Sequence, residues 1–155
     1  MVYTLDITTP KDIYTPKNPM RTFFPVTRGI VYAIEVEFPP GPLGNLYVGI
    51  FDGSFQVWPS SLGQWFHSDN HTIRFDDTYS KQAKPYEFHV YTYNTGNLYP
   101  HWCQVRIGMV SKDEFIARYL PAKSFEDMLI ALRKMEQEEY ARSTALEGAP
   151  FPWLV

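Results

Sequence analysis

Residues 29–38 read GIVYAIEVEF, and this stretch decides the fold. In an extended chain Ile30, Tyr32, Ile34, Val36 and Phe38 fall on one side, and Val31, Ala33, Glu35 and Glu37 on the other. Period-two alternation of β-branched and aromatic residues marks a half-buried strand. Pro39-Pro40-Gly41-Pro42 stops it, because proline brings no N–H to a ladder.

The same pattern continues outward from this strand. Leu46 to Phe51 is a second apolar run, and Asp52-Gly53 is the dipeptide that tolerates positive φ in a tight hairpin. Phe55 to Trp58 returns antiparallel and ends at Pro59. Trp65 to His67 predicts a brief strand, Ser68-Asp69-Asn70 a turn, and Thr72 to Phe75 a strand with Ile73 and Phe75 inward. Asp76 to Lys84 predicts a polar connection. Tyr86 to Tyr93 and His101 to Val110 complete the β region. On the N-terminal side, Val2 to Ile7 predicts a short strand and Thr9 to Pro19 a proline-rich arm. Arg21 to Thr27 predicts a strand in which Pro25 favours an edge position or a bulge. Short runs and turns at this spacing predict a mainly β fold, an antiparallel sandwich of jelly-roll type.

The periodicity changes after Val110. Ser111 and Glu114 have capping-box spacing and open a short helix that Pro121 ends. Ser124-Phe125-Glu126-Asp127 repeats the start signal, and Phe125, Met128, Leu129, Leu132 and Met135 recur at helical spacing. Gly148 and Pro150 end that helix. The organisation predicted is therefore a strand and arm over 1–28, a sandwich core over 29–110 in the same domain, a helical extension over 111–147 and an apolar tail over 148–155.

Composition narrows the function. The 155 residues suit one domain, and 45% hydrophobic with 17% aromatic content argues against disorder of the whole chain. A net charge of −3 without a Lys/Arg cluster argues against nucleic-acid binding. No run nears the roughly 18 apolar residues of a membrane span. Met1 to Pro10 lacks a charged segment followed by an apolar one, so no signal peptide is expected. Cys103 is the single cysteine, which rules out an intramolecular disulfide and favours a small core residue.

Candidate chemistry is sparse. His67, Asp69 and His71 bring two imidazoles and a carboxylate within five residues, the one stretch suited to a small metal-dependent enzyme. The spacing instead favours a solvated turn. Glu35 and Glu37 share a strand face, where like charges can raise one pKa as a general acid requires, but a solvated face is the far commoner explanation of such a pair. Asp76 and Asp77 point oppositely on a strand. Ser60 and Ser61 have no G-x-S-x-G context, and the glycines form no phosphate loop. No catalytic residue, metal ligand or cofactor is assigned.

The aromatic residues suggest binding. Trp65, Tyr91, Tyr93 and Trp102 form a candidate stacking platform for glycans, which makes a carbohydrate-binding module the alternative function. Phe151, Trp153, Leu154 and Val155, together with Trp58, are candidate anchors for contact with another subunit, since large apolar side chains are costly to leave in water.

Several segments carry a resemblance: Gly29-Ile30, Val36-Glu37-Phe38-Pro39, Phe51-Asp52-Gly53, Gln56-Val57-Trp58-Pro59, Phe75-Asp76, Pro85-Tyr86 and Val105-Arg106-Ile107-Gly108. They resemble small β-sandwich proteins encoded among phage and virus structural genes. The resemblance covers 29–110 and transfers no functional residue. It implies a non-enzymatic virion component (capsid, decoration or tail-associated) that forms homo-oligomers, contacts other virion proteins, and is found in the virion or in the host cytoplasm during assembly.

Overall fold

The alternating runs pair into two antiparallel four-stranded sheets. In chain order the strands are β1 (Val2–Thr9), β2 (Met20–Pro25), β3 (Gly29–Phe38), β4 (Leu46–Asp52), β5 (Phe55–Trp58), β6 (His71–Lys81), β7 (Glu87–Asn94) and β8 (His101–Val110). Two helices follow, α1 (Lys112–Tyr119) and α2 (Ala122–Glu147). This computed structural model describes residues 1–119 and 122–147. The first sheet has the order β1-β8-β3-β6 and the second β2-β7-β4-β5. Both sheets belong to one unit, Met1–Lys112, and Asp113–Val155 forms another.

One apolar core joins the sheets into a sandwich-like body. Ile34, Val36, Val105 and Ile107 from the first sheet cluster with Val48, Ile50, Phe88 and Val90 from the second, and all eight are fully buried. Each such side chain contributes about 1.5–3 kcal/mol by leaving water. The hairpin between β4 and β5 turns at Gly53, whose φ of 61° suits glycine.

β3 departs from simple alternation. Val31 pairs with Met109 and Ala33 with Gly108, so Tyr32 is an extra residue opposite β8. This bulge corrects the expected register. Val31 turns inward and is fully buried, and Tyr32 moves to the outer face over Gly108. A Cβ at Gly108 would lie 2.6 Å from the Tyr32 ring, so any side chain there would displace that ring.

The expected polar connection from Asp76 is also corrected, because β6 continues through Lys81 along β3. Its end carries a buried charge. The Lys81 side chain is 4% exposed and its Nζ lies 2.5 Å from Asp52 Oδ1 on β4. Tyr79 Oη donates to Asp52 Oδ2 at 2.7 Å. Burial, and then this bond to Asp52, push the Tyr79 phenol up to about 12. Asp52 therefore clasps the edge of one sheet to the other. A second clasp lies between β1 and β7, where Thr9 Oγ1 donates to Thr92 Oγ1 at 2.7 Å and both residues are fully buried.

α1 starts at Lys112, directly after the expected cap Ser111. α2 starts at Ala122, two residues ahead of the expected cap Ser124. The expected stops at Pro121, Gly148 and Pro150 lie outside the described residues. No described helix is long and apolar enough to cross a membrane.

The Asp52 clasp makes a quantitative prediction. Asp52→Ala leaves the Lys81 ammonium buried without its carboxylate and should lower unfolding stability by about 3–5 kcal/mol in urea titration. Pairing Asp52→Leu with Lys81→Met should recover most of that loss, because no charge is then buried. A single-mutant loss below about 1 kcal/mol would mean that the pair does not hold the sheets together.

Candidate functional site

Alternation along β4 and β7 sets the outer face of the second sheet. Leu46, Val48 and Ile50 on β4 and Phe88, Val90 and Thr92 on β7 are fully buried. Tyr47, Gly49 and Phe51 must then point outward, as must His89, Tyr91 and Tyr93. The register sets Tyr47 opposite Tyr93, Gly49 opposite Tyr91 and Phe51 opposite His89. Tyr47 stacks on Tyr93 with centroids 4.5 Å apart, and Phe51 meets Tyr91 edge-on at 4.8 Å.

Gly49 leaves a gap in this aromatic row, and Trp65 fills it. A Cβ at Gly49 would lie 3.1 Å from Trp65 Cε3 and 3.0 Å from Phe51 Cε2. Trp65 is delivered by its neighbour Phe66, whose backbone exchanges two 2.8 Å hydrogen bonds with Val48. The indole then meets Tyr93 edge-on at 5.0 Å. From the other side comes the proline-rich arm, tightened by Asn18 N–H donating to the Thr15 carbonyl at 3.0 Å. Pro16 and Pro19 join Phe51, Ser54, Trp65 and Tyr91 around an open groove of about 290 Å³. His89 borders the row, with Phe23 edge-on to it at 5.0 Å. Its Nδ1 is buried and, among the described residues, has no hydrogen-bond partner.

The structure thus brings Trp65, Tyr91 and Tyr93 together. Tyr93 is only 6% exposed beneath Trp65 and Tyr47, so it backs the platform and offers no open ring face. Burial and the neighbouring Tyr47 raise its phenol pKa. Trp102 belongs elsewhere: it lies on β8 in the first sheet, 46% exposed. There it lines a separate groove of about 340 Å³ with Tyr99, His101 and the Pro39–Pro42 run. Phe51, Pro16 and Pro19 are groove residues that sequence reasoning missed. The signal for Phe51 was its i, i+4 relation to Tyr47 on one strand face.

Trp58 is corrected as an interface anchor. It is 2% exposed, its ring lies 5.5 Å from those of both Tyr79 and Phe88, and its Nε1 donates to Asp77 at 2.7 Å. That environment leaves no surface for a partner. Phe151, Trp153, Leu154 and Val155 lie outside the described residues.

The ionisable candidates are held apart or paired. His67 packs on Tyr47 at 4.8 Å. Asp69 Oδ1 instead accepts the N–H groups of Gly41 and Leu43 at 2.9 and 3.0 Å, fastening the loop after β3. The Leu43 and Gly41 N–H bonds hold its carboxyl below the ordinary value. His71 opens β6 opposite Phe38. Among the described residues no three His, Cys, Asp or Glu are grouped to hold a metal ion. On the outer face of the first sheet Arg106 donates to Glu35 at 2.7 Å and to Glu37, and Arg74 lies 3.3 Å from Glu35. The hydrogen bond to Glu35 is the main cause that raises the Arg106 pKa. These glutamates therefore sit in an ion-pair network with Arg74 and Arg106.

Cys103 is fully buried on β8, and burial pushes its thiol up to about 12. A neutral thiol without access is inert. A thiol-specific chromogenic reagent at pH 8 should leave the native protein unmodified and titrate one thiol per chain in denaturant. Rapid reaction of the native protein would show that Cys103 is reachable.

Compared with known proteins, the chain matches no family model, no curated protein and no solved structure.

Proposed function

We propose that this chain is a non-enzymatic structural protein that assembles with copies of itself, as a capsid, decoration or tail-associated component of a phage or virus particle. The observation that carries the reading is α2. Met128, Ile130, Leu132, Met135 and Tyr140 on this helix are between 37% and 75% exposed. A helix in water draws most of its stability from packing an apolar face. Copies that cover one another's helices supply that packing, and the sequence after α2 holds four more large apolar residues, Phe151, Trp153, Leu154 and Val155.

The sheet orders support the reading. β1-β8-β3-β6 against β2-β7-β4-β5 is the order expected of a jelly roll built from two Greek keys. Capsid and lectin domains both use that architecture, so this support is a fold-level analogy. Assembly in the host cytoplasm and residence in the particle go with the proposal, and other virion proteins are the expected further partners.

Light scattering across a concentration series tests it. The wild-type mass should be a multiple of 18.1 kDa. Leu132→Lys combined with Met135→Lys, and separately deletion of 151–155, should each lower that mass at a given concentration. A wild-type protein that stays monomeric at the highest concentration overturns the proposal.

A second reading rests on the groove. Trp65 and Tyr91 are half-exposed beside Phe51, and flat aromatic faces of this kind stack on sugar rings. Under it, a glycan array gives a signal that Trp65→Ala abolishes while circular dichroism shows the β fold intact. No signal on the array, or one that survives Trp65→Ala, counts against carbohydrate at this face.

A further inference from the structure

β1 is an edge strand with a defined set of unused hydrogen-bonding groups. It pairs with β8 on one side, and among the described residues no strand pairs with its other side. Met1 and Met109 exchange N–H···O bonds in both directions, at 2.8 and 2.7 Å. In an antiparallel ladder, bonded and non-bonded residue pairs alternate. Tyr3, Leu5 and Ile7 therefore also turn their N–H and C=O groups toward β8. Val2, Thr4, Asp6 and Thr8 turn theirs away from the sheet.

The other edges carry features that discourage further pairing. β6 bears Arg74, Asp76 and Asp77, β2 has Arg21 and ends in Pro25, and β5 has four residues. Charges, proline and short length are the usual protections of an edge. β1 reads VYTLDITT, eight residues with one charge and no proline or lysine. Its inward row is also incompletely covered. Ile7 is 2% exposed, whereas Tyr3 and Leu5 pack on the core yet are only partly buried.

We infer that β1 pairs antiparallel with β1 of a second copy about a two-fold axis at Leu5, joining two four-stranded sheets into one of eight strands. This deepens the self-assembly reading and rests on it. Only residues whose backbone groups face outward can exchange bonds, so the axis must coincide with a residue. Centred on Asp6, the pairing sets two carboxylates face to face. Centred on Thr4, it leaves Thr8 unpaired. Centred on Leu5, it matches Val2 with Thr8 and Thr4 with Asp6 of the second copy, and every outward group is used. The same register sets Leu5 against Leu5 and Tyr3 against Ile7, so the half-covered apolar row continues across the axis.

Cysteine cross-linking tests this register. Leu5 faces its own copy in a non-bonded pair, where Cα atoms are about 4.5 Å apart, within disulfide range. Buried Cys103 gives no background. Under mild oxidation Leu5→Cys should convert to a covalent dimer on a non-reducing gel. Thr4→Cys, on a more exposed residue that faces Asp6, should remain monomeric on that gel. Thr4→Pro provides a second arm, since it deletes an outward N–H and leaves the β8 ladder intact. It should reduce association in light scattering with the β signal in circular dichroism retained. If wild-type protein associates but Leu5→Cys does not cross-link, or Thr4→Cys cross-links equally, or Thr4→Pro leaves association unchanged, the β1 pairing is overturned and self-assembly stands. If wild-type protein is monomeric, the underlying reading fails as well.

Discussion

Every strand of the sandwich turns one row of side chains toward a shared apolar core, and the rest of the structure depends on that burial. Once Ile34, Val36, Val105 and Ile107 face Val48, Ile50, Phe88 and Val90, the period of two leaves each outer face no choice of residues. The two outer faces then diverge in chemistry. The first sheet shows solvent an ion-pair lattice of Glu35, Glu37, Arg74 and Arg106. The second shows a row of rings from Tyr47, Phe51, Tyr91 and Tyr93, closed by Trp65 over Gly49. A face of paired charges satisfies itself in water, whereas a half-exposed aromatic groove gains by being covered.

Polar groups link the layers at several places, Trp58 to Asp77 among them. Thr9 and Thr92 satisfy each other inside the sandwich. Asp52 takes Lys81 and Tyr79 from the opposite sheet. Apolar contacts are non-directional and permit sliding. Directed bonds between buried partners fix one alignment of the sheets, because any slip strands a charge or a hydroxyl away from water.

Much of this was legible in the chain. Alternation located seven of the eight strands near their observed positions, Asp52-Gly53 located a hairpin, and of the two places Pro25 suits, an edge or a bulge, β2 takes the edge. What escaped depends on partners distant in sequence. The bulge sets Tyr32 over Gly108 on β8, and nothing within residues 29–38 announces that. The second half of β6, from Asp76, looked like a polar connection because its outward side is solvated, and Lys81 became intelligible only beside Asp52, 29 residues earlier. The aromatics were recognised as a group, yet whether a ring was core or surface turned on cover from another segment. Trp58 went under Tyr79 and Phe88, Tyr93 under Trp65, and Trp102 to the other sheet.

The sealed position of Cys103 carries one more consequence. It is the chain's sole sulfhydryl, and the core that hides it also keeps it protonated. The sandwich therefore holds no covalent link that a reductant could open within the chain, and it shows an oxidant no thiolate at its surface. Redox conditions therefore reach the folded sandwich only through unfolding, which is the step that would expose Cys103 to an oxidant.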